Sequence, residues 1–397
     1  MLESLVVCTG MARASPCFLG QEWAEPVSVY GIRRRRWAVA TLELAKYRLV
    51  LRPRERLFLP EYKGSALRGG FGHALRRVVC PFADGRCYRG CIQPGRCVYS
   101  YVFETPLSEE IATTFAALRG ALDAPHPFVL EPPEEERQHY SAHDRLAFHL
   151  ILIGRAMEYL PYFLLSFDEL GRIGLGKGKG RFQLESAFGV GTEGEVVVYR
   201  GSERRFVGVG VPITLEEVAR KVQGKVDEVE IEFLTPARLK YGHKLTSKLE
   251  FHILFRALLL RLSLLVLCHR GSGMLPLPSG GTVPPLAVAQ YFYRDHGIDA
   301  AAHRSIHEAI EGAKGIAIDR SDLHWQDWER YSARQDVRMK LGGMVGSIKY
   351  VGALAGFLPY LLFGECLHVG KNTSFGLGKM QLHLSEERRV LGSGDNP

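Results

Sequence analysis

Two stretches of the chain repeat each other at a fixed offset of 198 residues, with no gap. The first carries Gly154, Leu160-Pro161-Tyr162, Leu164, Gly178, Gly180 and Gln183-Leu184; the second carries Gly352, Leu358-Pro359-Tyr360, Leu362, Gly376, Gly378 and Gln381-Leu382. Each is an apolar run of helical length that empties into a loop rich in glycine and lysine. A repeat of this length constrains the chain to one module used twice. The loops have a chemistry of their own: glycine lets main-chain N–H groups come close to an anion, and lysine adds charge without reading a base.

The elements around the repeat fit an α+β fold of two tandem ferredoxin-like (RRM-like, βαββαβ) domains with a cysteine-rich insertion. In the first half the spacing predicts strands over 40–51, 98–103, 146–153 and 182–185, and helices over 65–79 and 155–170. Ser65 suits an N-cap, and Leu67, Phe71, Ala74 and Val78 form a buried stripe. In the second half strands are expected over 229–234, 343–351 and 379–383, and helices over 247–268 and 354–364, with one central strand not located. The Gly/Pro-rich 271–285 segment and the polar helical stretch up to 330 read as an insert with mobile loops. Domain bounds follow at 38–212 and 225–385, with an extension over 1–37 and a tail over 386–397.

Neither glycine loop has Walker spacing, and both follow a helix and precede a strand, the reverse of a dinucleotide fingerprint. The second loop reads His368-Val369-Gly370-Lys371-Asn372-Thr373-Ser374-Phe375-Gly376-Leu377-Gly378-Lys379. It resembles the C-terminal glycine-rich loop of the CRISPR precursor-RNA processing endoribonucleases of the RAMP superfamily. Tyr62-Lys63-Gly64-Ser65-Ala66-Leu67-Arg68-Gly69, the run from Ile173 to Phe182 and Arg330-Tyr331-Ser332-Ala333-Arg334-Gln335 share that family's texture. The resemblance implies metal-independent RNA cleavage, in which a ribose 2′-hydroxyl attacks the adjacent phosphate and leaves 2′,3′-cyclic phosphate and 5′-hydroxyl ends. It implies no cofactor for catalysis, and CRISPR repeat RNA and CRISPR effector proteins as partners. A non-catalytic RNA-binding subunit of a CRISPR ribonucleoprotein, or a general nucleic-acid binder built around a metal module, are the alternatives.

Such cleavage needs a base, an acid and a cation for the phosphorane. His73 is the leading catalytic candidate, because it shares a helix face with Arg76 and Arg77, away from the apolar stripe. A surface histidine or a plain phosphate contact is the competing reading. The resemblance adds Tyr62 and Lys63 as helpers. RNA-binding roles are expected for Arg68, Arg76, Arg77, Gly174, Gly176, Lys177, Lys179, Arg181, His368, Gly370, Lys371, Asn372, Ser374, Gly376, Gly378 and Lys379. Gly180 and Gly378 are the glycines best explained by tight packing alone. His243, beside Arg238, Lys240 and Lys244, reads as RNA groove or solvated surface, and Trp325, Trp328 and Tyr331 as a stacking set or core anchors.

Cys80, Cys87, Cys91 and Cys97 are separated by six, three and five residues. In a cytosolic chain this set suggests structural zinc, with an iron–sulfur cluster or four reduced thiols left open. The net charge of +8 favours an anionic partner. Glu250, His252, Arg256 and Arg261 interrupt the apolar run 249–268, which argues for a core helix rather than a membrane span. No export signal is evident at the start, so a cytoplasmic location is expected. Oligomeric state is left open. Residues 1–37, with Arg33 to Arg36, read as a disordered extension or a basic arm.

Overall fold

In the computed structural model, residues 42–384 are described except for 81, 83–96, 108–110, 112–123, 192, 215–216, 219–224, 243, 270–272, 294–296, 328 and 333–336. The expected extension over 1–37, the tail over 386–397, Cys87, Cys91, His243, Trp328 and Arg334 therefore lie outside the described residues.

The first module runs β1 (Glu43–Pro53), α1 (Gly64–Val79), β2 (Phe128–Glu131), β3 (Leu146–Ile153), α2 (Leu160–Ile173) and β4 (Phe182–Gly191), with β5 (Gly194–Arg200) added at the edge. The strands lie in the spatial order β2-β3-β1-β4-β5, all antiparallel, which is the ferredoxin-like arrangement. Alternation in β1 sends Ala45, Tyr47, Leu49 and Leu51 to the helical face. There Phe71 of α1 stacks on Phe163 and Phe167 of α2, with centroids 4.8 and 5.4 Å apart.

The second module repeats the plan with β6 (Glu228–Ala237), α3 (Phe251–Cys268), α4 (Pro285–Tyr293), α5 (Ala300–Lys314), β7 (Ala317–Ser321), β8 (His324–Gln326), β9 (Gly343–Val351), α6 (Leu358–Leu367) and β10 (Met380–His383). Its main strand order is β7-β9-β6-β10, the same as in the first module, and α4 and α5 are the insert. Helix α3 is long and apolar enough to cross a bilayer, yet its side chains line this module's core. The repeated Leu-Pro-Tyr opens α2 and α6 alike, with proline in the first turn, where its missing N–H costs nothing.

The two modules share apolar packing. Leu44, Val129, Ile151 and Ile153, from the first sheet, join the core built on α3 and β6.

Three sequence expectations need correction. The stretch 98–103 is a helical turn, with Ser100–Glu104 in π-helical geometry, because Tyr99 and Phe103 stack one turn apart at 5.3 Å and Phe103 packs on α1. The strand expected there is β2. The unlocated strand of the second module is β7, an edge strand whose residues are all exposed. Ser65 is not the N-cap of α1: Lys63 occupies that position, with no side-chain cap.

Candidate nucleic-acid interface

Helix α1 separates the residues expected to act together. His73 is exposed, with Arg76 half-buried and Arg77 exposed beside it, and Arg77 Nε lies 3.2 Å from Glu169 Oε1. Lys63 is wholly buried. Its Nζ donates to Glu61 O at 3.0 Å and Glu135 O at 2.6 Å, and burial pushes its pKa down. The Tyr62 hydroxyl donates to Phe375 O, and burial pushes its pKa up. Ten residues of helix place His73 roughly 15 Å from Lys63. Tyr62 and Lys63 are thus anchors of the helix entry, and the structure does not bring them to His73.

The two glycine loops, equivalent in sequence, differ in exposure. In the first, Gly174, Gly176 and Gly180 approach the backbone of Lys179, Phe58 and Arg56, while Lys177, Lys179 and Arg181 stand exposed. The second loop is inside the molecule. Thr373, Ser374, Phe375 and Leu377 are buried, and Gly370 and Gly378 pack against Arg238 and Val369 backbone. His368, expected to touch RNA, has no exposed surface: Nε2 lies 2.9 Å from Glu131 Oε1 and Nδ1 lies 3.2 Å from Leu377 O. Arg68 is likewise a strut. Its guanidinium lies 4.3 Å from the Phe103 and Phe375 ring centroids, and Nε donates to Ser374 Oγ at 2.9 Å. The second loop joins the modules, and of its expected contacts Lys371 is exposed and Asn372 half-buried, while Lys379 pairs with Glu134 at 2.6 Å.

Lys371 and Asn372 do, however, line a cleft. It encloses about 390 Å³ between this loop, the middle of α3 and the 124–126 segment, and Arg238, Lys240 and Arg261 add positive charge to its walls. Arg261 donates through Nε and Nη2 to Leu367 O, and burial lowers its pKa to about 10. His126, which the sequence reading passed over, also faces the cleft. Its Nε2 accepts from Arg68 Nη2 at 2.8 Å and its Nδ1 lies 3.2 Å from Thr105 Oγ1. Burial, then the nearby charge of Arg68, hold its pKa down at about 3, so at neutral pH it is an uncharged hydrogen-bonding group. The local signal for this cleft was Arg238 and Lys240 beside the second-module strand; nothing local announced His126.

Of the four cysteines, Cys80 and Cys97 are described and carry free thiols. No group of three metal-ligating side chains occurs among the described residues.

Residues 231–380 match the family CRISPR-associated endoribonuclease Cas6, and residues 42–209 match a family described as an N-terminal domain. The second half of the chain is thus similar to the Cas6 endoribonucleases. It is 27% identical to an uncharacterized protein of Archaeoglobus fulgidus over 57% of this chain and 71% of that one. Among solved structures it is similar to a partial Cas6-RT-Cas1–Cas2 complex, at TM-score 0.50 and 16% identity, over 90% of this chain. The chain spans 48% of that protein's length. Thermus thermophilus Cas6 aligns at TM-score 0.46 and 13% identity, over 86% of this chain and 99% of that one. The matched segment 231–380 holds the second glycine loop and the cleft wall formed by Arg238, Lys240 and Arg261.

Proposed function

We propose that the chain binds precursor CRISPR RNA and cuts it within or beside the repeat, by attack of a ribose 2′-hydroxyl on the adjacent phosphate without a metal in the chemistry. The match of residues 231–380 to the Cas6 family carries this reading. The cationic cleft suits a ribose-phosphate strand, since Arg and Lys hold backbone oxygens without demanding a sequence. His73 acts as the general acid or base, with Arg76 or Arg77 stabilising charge on the phosphorane. CRISPR effector proteins are the proposed partners, and the cytoplasm the proposed location.

One observation favours a second reading, a non-catalytic RNA-binding subunit: Tyr62 and Lys63, the expected helpers of His73, are committed to backbone contacts at the entry to α1. A cleavage assay on repeat RNA in excess chelator, run with wild type and His73→Ala, separates the two. Cutting that persists in chelator and falls at least a hundredfold in the variant supports the nuclease. Tight binding by wild type with no cutting overturns it and supports the scaffold.

A further inference from the structure

The first glycine loop lies against a feature outside the cleft. Leu57–Phe58 and His139–Tyr140 form a two-stranded ribbon, in which Phe58 and His139 are directly paired. Their rings meet edge-on, with centroids 4.8 Å apart at 85°. Leu57 and Tyr140 are buried beneath, yet Phe58 keeps 39% of its surface exposed. A pocket of about 320 Å³ opens beside the two rings, bounded by Arg56, Arg137, Ser141 and Asp144. Single exposed apolar side chains are ordinary, but the surroundings of Phe58 set it apart.

Phe58 O accepts from Lys177 N at 2.9 Å, which pins the loop to the ribbon. The acids nearby are already engaged: Asp144 pairs with Arg137 at 2.6 Å, Glu135 accepts from the Tyr140 hydroxyl at 2.8 Å, and Glu55 accepts from Arg181 N at 3.1 Å. Arg56, Lys177 and Lys179 are exposed and have no ion-pair partner among the described residues, nor do the His139 ring nitrogens have a hydrogen-bond partner there. The site therefore combines a partly exposed phenyl ring, an imidazole set perpendicular to it and three cations without an ion-pair partner among the described residues. An aromatic face accepts any base by stacking, and cations beside it hold the flanking phosphates.

We infer that Phe58 and His139 form a nucleobase pocket, in which an unpaired base of the RNA stacks on Phe58 beside the His139 imidazole, while Lys177, Lys179 and Arg56 hold its phosphates. The inference rests on the reading that this chain binds RNA. It gives the exposed copy of the repeated loop a binding role distinct from the joint made by the buried copy, and it extends the RNA path from the intermodule cleft onto the first module. An acidic peptide would satisfy the lysines and leave the stacking geometry unused.

The test uses the full chain and a single-stranded oligoribonucleotide containing 2-aminopurine, whose fluorescence falls on stacking. Wild type should quench it, and Phe58→Leu, which keeps an apolar side chain without a ring, should lose the quench and bind about tenfold more weakly. In parallel, RNA carrying 5-iodouridine is photo-cross-linked to wild type and the attached peptides are mapped, which needs no folded variant. Cross-links at Phe58 or His139 support the pocket. Equal quenching and affinity in Phe58→Leu, cross-links confined to the cleft, or weaker binding of an acidic peptide but not of RNA in Phe58→Leu would each overturn it. A wild type that binds no RNA overturns the RNA-processing reading and this pocket with it, whereas RNA binding that ignores Phe58 overturns the pocket alone.

Discussion

His368 of the second module and Glu131 of the first meet across 2.9 Å with almost no exposed surface on either, although 237 residues separate them in the chain. Lys46 Nζ approaches the same carboxylate at 2.8 Å. Burial alone would raise the Glu131 pKa, but the hydrogen bond and charge of His368, followed by Lys46 and Lys379, outweigh it and hold the group well below the usual carboxylate range. Breaking a buried pair by removing one partner strands the other's charge, at a cost of about 3–5 kcal/mol. Glu131→Ala and His368→Ala should each lose stability on that scale in urea unfolding. The double variant should lose less than the sum of the two, because the singles share one interaction.

Acid should loosen the same joint before it reaches the ordinary carboxylate range. Burial pulls the pKa values of His149 and His269 down to about 4 and that of His126 to about 3, from an ordinary 6.5. A group whose folded pKa is depressed binds protons more readily when unfolded, so its stabilising effect is complete above 6.5 and is lost as pH falls through the folded value. Glu131 has the same sign and adds its loss lower down, below the unfolded carboxylate value of about 4.3. Thermal unfolding should therefore hold steady from pH 8 to 7 and fall progressively between pH 6.5 and 4. His126→Asn, which cannot titrate, should flatten part of that slope.

Gly178 and Gly376 occupy the same place in the repeat and should tolerate alanine very differently. Both have positive φ, at 82° and 87°. A Cβ on Gly178 meets nothing within 4 Å, whereas one on Gly376 would sit 2.5 Å from Pro132 Cδ and 2.6 Å from Leu130 O. Gly178→Ala should cost about 1 kcal/mol, the backbone strain alone. Gly376→Ala adds a clash with a neighbouring backbone and should cost several times more, with limited proteolysis showing looser packing between the modules.

That contrast shows what sequence could and could not reveal. Strands Leu146–Ile153 and Gly343–Val351 were legible to the residue because both lie inside their sheets, where apolar pattern is imposed by burial. β7 was not, since Ala-Ile-Asp-Arg-Ser is an exposed edge strand held by backbone hydrogen bonds that need no pattern. β2 was missed because all four of its residues are buried, which erases alternation. At the site, the exposure of His73, Lys177, Lys179 and Arg181 followed from composition. The burial of His368 and the sandwiching of Arg68 did not, because Glu131, Phe103 and Phe375 come from other elements far along the chain. A glycine and lysine loop has the same local sequence whether it faces solvent or seals a joint.

The cationic cleft predicts how RNA binding responds to salt. Lys240 and Lys371 line it and are exposed, close in sequence to the Arg238–Gly370 bridge that ties the loop to the strand end. Each lysine that neutralises one phosphate of a single strand contributes about 0.7 to the slope of log affinity against log salt. Lys240→Glu and Lys371→Glu should each weaken binding of single-stranded repeat RNA at 100 mM salt and make that slope shallower by at least this amount, with unfolding midpoints near wild type. Neither lysine is buried, so the loss should come from electrostatics and shrink as salt rises, with the affinities of variants and wild type converging near 1 M. Measuring affinity by filter binding across 50–500 mM salt decides the matter: an unchanged slope in both variants would place the strand outside the cleft.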